Sequence, residues 1–165
     1  MARKKYIIDG FNIGYKISSV VPLLRQGSVN DAIQRILDFV AGALPDNAAA
    51  TVVFDGQPTA CEHFRVPNKI TIRFSRYPQK ADDIMRQFLR QTSAAASWTA
   101  VTSDREILNT ARDMGAQVLL AEDFIARGHS ANAQEQKSEA SAQKYNPSSV
   151  DVDYWLKQFG EGGQE

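Results

Sequence analysis

The sequence predicts an α/β fold, a three-layer α/β/α sandwich with a mostly parallel central sheet. Short apolar runs of strand character alternate with stretches whose apolar residues recur at helical spacing. Two of those runs, Tyr6-Ile-Ile-Asp9-Gly and Val52-Val-Phe-Asp55-Gly, end in the same Asp-Gly pair. Parallel neighbours need crossover connections, and a helix between consecutive strands supplies one. At 165 residues and 43% hydrophobic, the chain is long enough for one substantial core and short for two.

Lys5 to Asp9 is a short apolar run closed by a turn pair, as a buried strand leaving a sheet should be. A loop through Pro22 and Gly27 follows. Ile33, Ile36, Leu37, Val40 and Leu44 then share one helical face, with Ser28 or Asn30 as cap and Pro45 as stop. Ala50 to Asp55 is too short and too β-branched for a helix and reads as the second strand. Ile70 to Phe74 alternates apolar and polar residues, which predicts a strand with one wet face near a sheet edge. Ile84, Met85, Phe88 and Leu89 form the next helical stripe, and this places Asp82 and Asp83 in its first turn. Thr99 to Thr102 is a brief strand. Ser103-Asp-Arg-Glu106 starts a helix carrying Ile107, Leu108, Ala111 and Met114, which Gly115 ends. Gln117 to Ala121 supplies the last strand, and Glu122 to Ala126 at most a short helix.

Residues 1–127 therefore form the expected domain. Gly128 to Ser149 is poor in bulky apolar residues and reads as a flexible polar linker. In 150–165, Val152, Trp155, Leu156 and Phe159 fall on one face of a short amphipathic helix, which docks on its own domain or on a protein partner.

A formal net charge of zero argues against binding nucleic acid by overall attraction. Locally, Glu62 to Arg90 holds seven Lys/Arg against three acids, a basic stretch or a solvated face. One cysteine, Cys61, permits no intrachain disulfide, and His63 and His129 alone make no zinc cluster. The apolar run after Met-Ala-Arg-Lys-Lys stops at Asp9, too soon for a signal peptide, and no stretch is long enough to span a bilayer. The expectation is a cytoplasmic protein with no membrane contact.

Asp9, Asp55 and Asp104 stand at or just beyond strand ends, and the pair Asp82-Asp83 opens a helix. Ligands of open α/β sheets bind outside the carboxyl ends of strands, so these side chains are expected to converge on one crevice. Crowded carboxylates stay ionised together only beside a cation, and an all-oxygen donor set selects Mg²⁺ or Mn²⁺. Such an ion acidifies water and stabilises charge on phosphate, which points to phosphodiester hydrolysis. Each aspartate also has a plain structural use: Asp9 and Asp55 in turns before glycine, Asp82 and Asp83 against a helix dipole, Asp104 in a cap.

Taken together, Tyr-Ile-Ile-Asp9-Gly-Phe-Asn12-Ile, Val-Val-Phe-Asp55-Gly, Lys-Ala-Asp82-Asp83-Ile and Val-Thr-Ser103-Asp104-Arg-Glu resemble the NYN domains of the YacP-like group of PIN-like nucleases. The resemblance runs from about Lys5 to Phe124, and its specificity lies in the motifs occurring together and in order. It implies a Rossmann-like sandwich and a metal-dependent ribonuclease, with acidic ligands carried onto Asp9, Asp82 and Asp104, and with Asn12 orienting Asp9 or a bound water. Asp83 replaces or assists Asp82 on this reading, and Asp55 is a further candidate ligand. Ser103 or Thr102 holds a ligand or a substrate phosphate. The resemblance also implies in-line attack by water that leaves a 5′-phosphate and a 3′-hydroxyl. Lys16, Arg76, Lys80 and Arg105 adjoin the motifs and Arg73 projects from a wet strand face, positions suited to phosphate contacts. Tyr15 and Tyr77 have the chemistry to stack on splayed bases, although packing is the commoner fate of an aromatic residue. The expected partner is thus single-stranded RNA, and the chain is compatible with a homodimer. Members of the group often carry a more basic carboxyl-terminal end than this chain does.

Three other functions fit the sequence less well. An aspartate-nucleophile phosphotransferase usually has a second acid two residues after the first, where this chain has Phe11. Gly10-Phe-Asn-Ile-Gly14 lacks the spacing of a dinucleotide phosphate turn. A catalytically silent module that binds RNA or protein keeps the fold but gives no reason for Asp9, Asn12, Asp82 and Asp104 to occur together.

Overall fold

The structure is a computed structural model that describes residues 2–57 and 64–143, with side chains as far as residue 134. Five strands, β1 (Lys4–Asp9), β2 (Ala48–Phe54), β3 (Ile70–Phe74), β4 (Trp98–Val101) and β5 (Gln117–Leu119), form one sheet in the order β3-β2-β1-β4-β5, and every pair is parallel. The sheet is thus parallel throughout rather than mostly so. β1 lies at its centre, and because β2 and β4 leave it in opposite directions, the β1/β4 boundary is the topological switch point. β3 is an edge strand with alternating burial, as its sequence pattern predicts.

Alternation along the strands divides the core. Tyr6, Ile8, Val52 and Phe54 face one layer, built from α1 (Gly10–Gly14), α2 (Val21–Arg25), α3 (Val29–Ala43) and the start of α6 (Ala121–Gln143). Ile7, Val53 and Ala100 face the other, built from α4 (Ala81–Gln91) and α5 (Arg105–Asp113). Burying both faces explains why β1 and β2 read as continuous apolar runs at their carboxyl ends.

Two segments depart from the sequence reading. The expected loop before α3 contains α1 and α2, five residues each, too short for a periodic pattern to show. The expected short helix after β5 runs from Ala121 to Gln143, into the polar stretch read as a linker. Ala, Gln, Glu and Lys are good helix formers, and Phe39 of α3 meets His129 edge-on at 5.5 Å. Gly128 permits the approach, since a Cβ there would lie 2.6 Å from the Phe39 ring. The chain divides into two units, 1–132 and 133–165; in the second, residues 133–143 are helical. The helix expected around Trp155 lies outside the described residues. Among those described, no helix is long and apolar enough to cross a membrane.

Candidate active site

Asp9 closes β1 and also caps α1, so the chain turns at this residue directly from strand to helix. It is only 9% exposed. Its Oδ1 accepts from the Asn12 backbone N–H (3.4 Å) and its Oδ2 from the Thr102 hydroxyl (3.4 Å). The tight turn depends on Gly10, where a Cβ would lie 2.6 Å from Phe54 Cδ1. Asn12, on α1, uses its side-chain Oδ1 to accept from the Ser103 N–H at 2.9 Å. The loop after β4 is thereby stitched to the end of β1 across the switch point. Thr102 Oγ1 in turn accepts from the Asp104 N–H (3.1 Å), and Asp104 caps α5 through Oδ1, which accepts from Glu106 N–H (2.8 Å) and Ile107 N–H (3.2 Å).

Asp82 joins this group from the first turn of α4. Burial pushes the Asp9 carboxyl up to about 6 from 3.8, and the charges of Asp82 and Asp104 push the same way, against the hydrogen bonds from Asn12 and Thr102. Burial, then the charge of Asp104, also raises Asp82, with Arg86 opposing. Asp9, Asp82 and Asp104 therefore share one electrostatic environment at the carboxyl end of the sheet, although 73 residues separate the first two.

Asp83 turns elsewhere. Its Oδ2 accepts from the Lys80 N–H (3.0 Å) and its Oδ1 pairs with Arg86 (2.9 Å), and these contacts hold its carboxyl below the usual range. Arg86 also bridges to Glu106 at 3.2 Å. Asp55 is exposed, with Oδ1 accepting from the Ser75 hydroxyl (2.8 Å) and the Ala81 N–H (3.1 Å), so it ties α4 to the end of β2. Its charge still reaches Asp82.

Of the expected phosphate contacts, Lys16 lies beside the crevice, paired with Glu122 at 2.9 Å. The Ser103 hydroxyl donates to the same carboxylate at 3.1 Å. Arg76, Lys80 and Arg105 are exposed in the loops and helix start at this end of the sheet. Arg73 lies over the Phe88 ring (6.0 Å) and lines a cavity of about 590 Å³ between β3 and α4 with Gln79, Gln87 and Gln91. Sequence reasoning missed Glu122, Arg86 and the pinning role of Ser75. Glu122 had a signal, since it follows β5 as the other acids follow their strands.

Residues 6–158 match the family described as YacP-like NYN domain. The chain belongs to that family. It is a family of PIN-like nucleases, which typically use divalent metals. Solved structures share the fold, among them two of one Bacillus subtilis protein. The crystal structure of Rae1 (YacP) from Bacillus subtilis is 16% identical with a TM-score of 0.73, covering 95% of this chain and 92% of that one. A mutant of the same Bacillus subtilis protein is 15% identical with a TM-score of 0.70, covering 93% and 90%. No curated protein matches the chain.

The donor set suits a hard ion: carboxylates, an amide and hydroxyls, with neither thiolate nor imidazole. Among the described residues, no three Asp, Glu, His or Cys side chains are already grouped as a metal site.

Proposed function

We propose that this chain is a metal-dependent endoribonuclease acting on single-stranded RNA in the cytoplasm. The observation that carries the proposal is that the fold brings Asp9 and Asp82 into one another's field and that of Asp104 at the switch point, where burial first, and these charges after it, raise the carboxyl pKa of Asp9 and Asp82. Three carboxylates in mutual repulsion favour a cation, and Mg²⁺ or Mn²⁺ would be held by Asp9 and Asp82 with Asp104 nearby. A divalent ion bound there supplies an acidified water and a positive charge beside the scissile phosphate.

The chain's own residues supply the rest. Asn12 holds the Ser103 backbone, and with it Asp104, in register with Asp9. Thr102 fixes the Asp9 carboxylate with its hydroxyl, leaving the other lone pairs free to face the crevice. Lys16, held at the crevice by Glu122, and the exposed Arg105 place the phosphate so that water attacks phosphorus in line, releasing a 3′-hydroxyl and leaving the 5′-phosphate. The segment around Trp155 is a docking element, either on its own domain or on a partner protein, and the chain is compatible with a homodimer.

The test incubates the purified chain and its Asp9→Asn variant with labelled single-stranded RNA, in Mg²⁺, Mn²⁺ or EDTA. Cleavage by the wild type with metal, lost in the variant and in EDTA, supports the proposal. No cleavage under any condition, or equal cleavage by both proteins, transfers the function to a silent RNA- or protein-binding module.

A further inference from the structure

Asp55 does more than end a strand. Its Oδ1 holds both ends of the β3–α4 connection, accepting from Ser75 Oγ at 2.8 Å and from the Ala81 N–H at 3.1 Å. Ser75 is buried. Its Oγ accepts from the Gly56 N–H (2.9 Å), and its own N–H donates to the Phe54 carbonyl (2.9 Å). Between these anchors lies Arg76-Tyr77-Pro78-Gln79-Lys80, closed into a turn by the Gln79 N–H donating to the Arg76 carbonyl at 2.8 Å. Tyr77 stands at its tip and is 99% exposed. A tyrosine ring is a large apolar surface that ordinarily gains by burial. Here a pinned turn holds it in solvent, with exposed cations on both sides and Asp82 five residues further on.

An aromatic face between two cations complements a base between two phosphates. The base must be unpaired, because in a duplex its faces are covered by its neighbours. We propose that the Arg76–Lys80 turn is a stacking platform for one unpaired base of the RNA beside the cleavage crevice, with Tyr77 on the base, Arg76 and Lys80 on the flanking phosphates, and Asp55 as the positioning residue. This rests on the reading of the chain as a single-strand ribonuclease and adds to it the side chain that grips an unpaired base.

The experiment measures binding without cleavage. Full-length protein carrying Asp9→Asn, in EDTA, is titrated with a fluorescein-labelled single-stranded 12-mer RNA and with the same sequence as a duplex. Adding Tyr77→Ala weakens single-strand binding by about 5- to 150-fold, the affinity equivalent of one lost base stack. Tyr77→Phe keeps the ring and the affinity, and duplex binding does not change with either. Asp55→Ala, which releases the turn, weakens single-strand binding, whereas Asp55→Asn keeps the Oδ1 acceptor and the affinity. The proposal is overturned if Tyr77→Ala binds the single strand like its parent, if Phe and Ala weaken it equally, or if the parent binds no single-stranded RNA. Tyr77-dependent binding by a wild-type protein that never cuts RNA upholds the platform and removes the nuclease reading alone.

Discussion

Replacing Asp9 with asparagine should make the protein more stable at neutral pH while abolishing cleavage. The Asp9 carboxyl is raised to about 6 from 3.8, chiefly by burial. Between those values the folded state binds more protons than the unfolded chain, so stability is fullest below pH 3.8 and falls as pH rises through about 6. A rise of that size corresponds to about 3 kcal/mol of destabilisation by ionised Asp9 above that window. Asparagine removes the charge and keeps the Oδ1 that accepts from Asn12, but it puts an amide where Oδ2 accepts from Thr102, at a cost of about 1 kcal/mol. The net gain near pH 8 is then about 2 kcal/mol, or roughly 4–8 °C in Tm for a chain of this size. Thermal unfolding followed by circular dichroism in EDTA, from pH 4 to pH 8, reads it directly. The gain should vanish at pH 4. A variant less stable than wild type at pH 8, or equally stabilised at both pH values, would refute the assignment of Asp9 as a carboxylate ionised at a cost.

Asp104→Ala should lower stability by about 1 kcal/mol through loss of the α5 cap and abolish cleavage; Asp104→Asn should lose cleavage with little change in Tm, separating cap from charge. Asp82→Asn should reduce single-turnover cleavage to background, while Asp83→Asn, whose carboxylate is engaged with Lys80 N–H and Arg86, should cut nearly as well as wild type. Asn12→Ala should reduce metal affinity or activity by about 10- to 100-fold, as loss of a ligand-orienting partner does, measured by cleavage against Mg²⁺ concentration. Gly10→Ala should force Phe54 aside and destabilise by about 1–3 kcal/mol in urea unfolding.

Much of this architecture was legible because burial on both sheet faces leaves a blunt chemical trace. The apolar runs ending at Asp9 and Phe54, the edge alternation of Ile70–Phe74 and the stripes of α3, α4 and α5 each follow from where water is excluded. Elements held by few residues left no such trace. α1 and α2 are short helices that meet the core through Ile13 and through the half-buried Leu23 and Leu24, and α6 extends through polar sequence with Gly128 seated against Phe39.

Within the candidate site, the sequence alone determined which carboxylates were available and that strand ends would carry them to one edge, since strand polarity and parallel pairing are properties of the chain pattern. What each oxygen does was decided only by tertiary structure. Asp82 and Asp83 are neighbours with identical chemistry, yet one shares the field of Asp9 and Asp104 while the other is taken up by Lys80 and Arg86. Asp55 repeats the Asp-Gly signature of Asp9 but ties down the Tyr77 turn through Ser75 and Ala81. Carboxylate roles depend on distances of a few ångströms between residues tens of positions apart, and only the packed fold sets those distances.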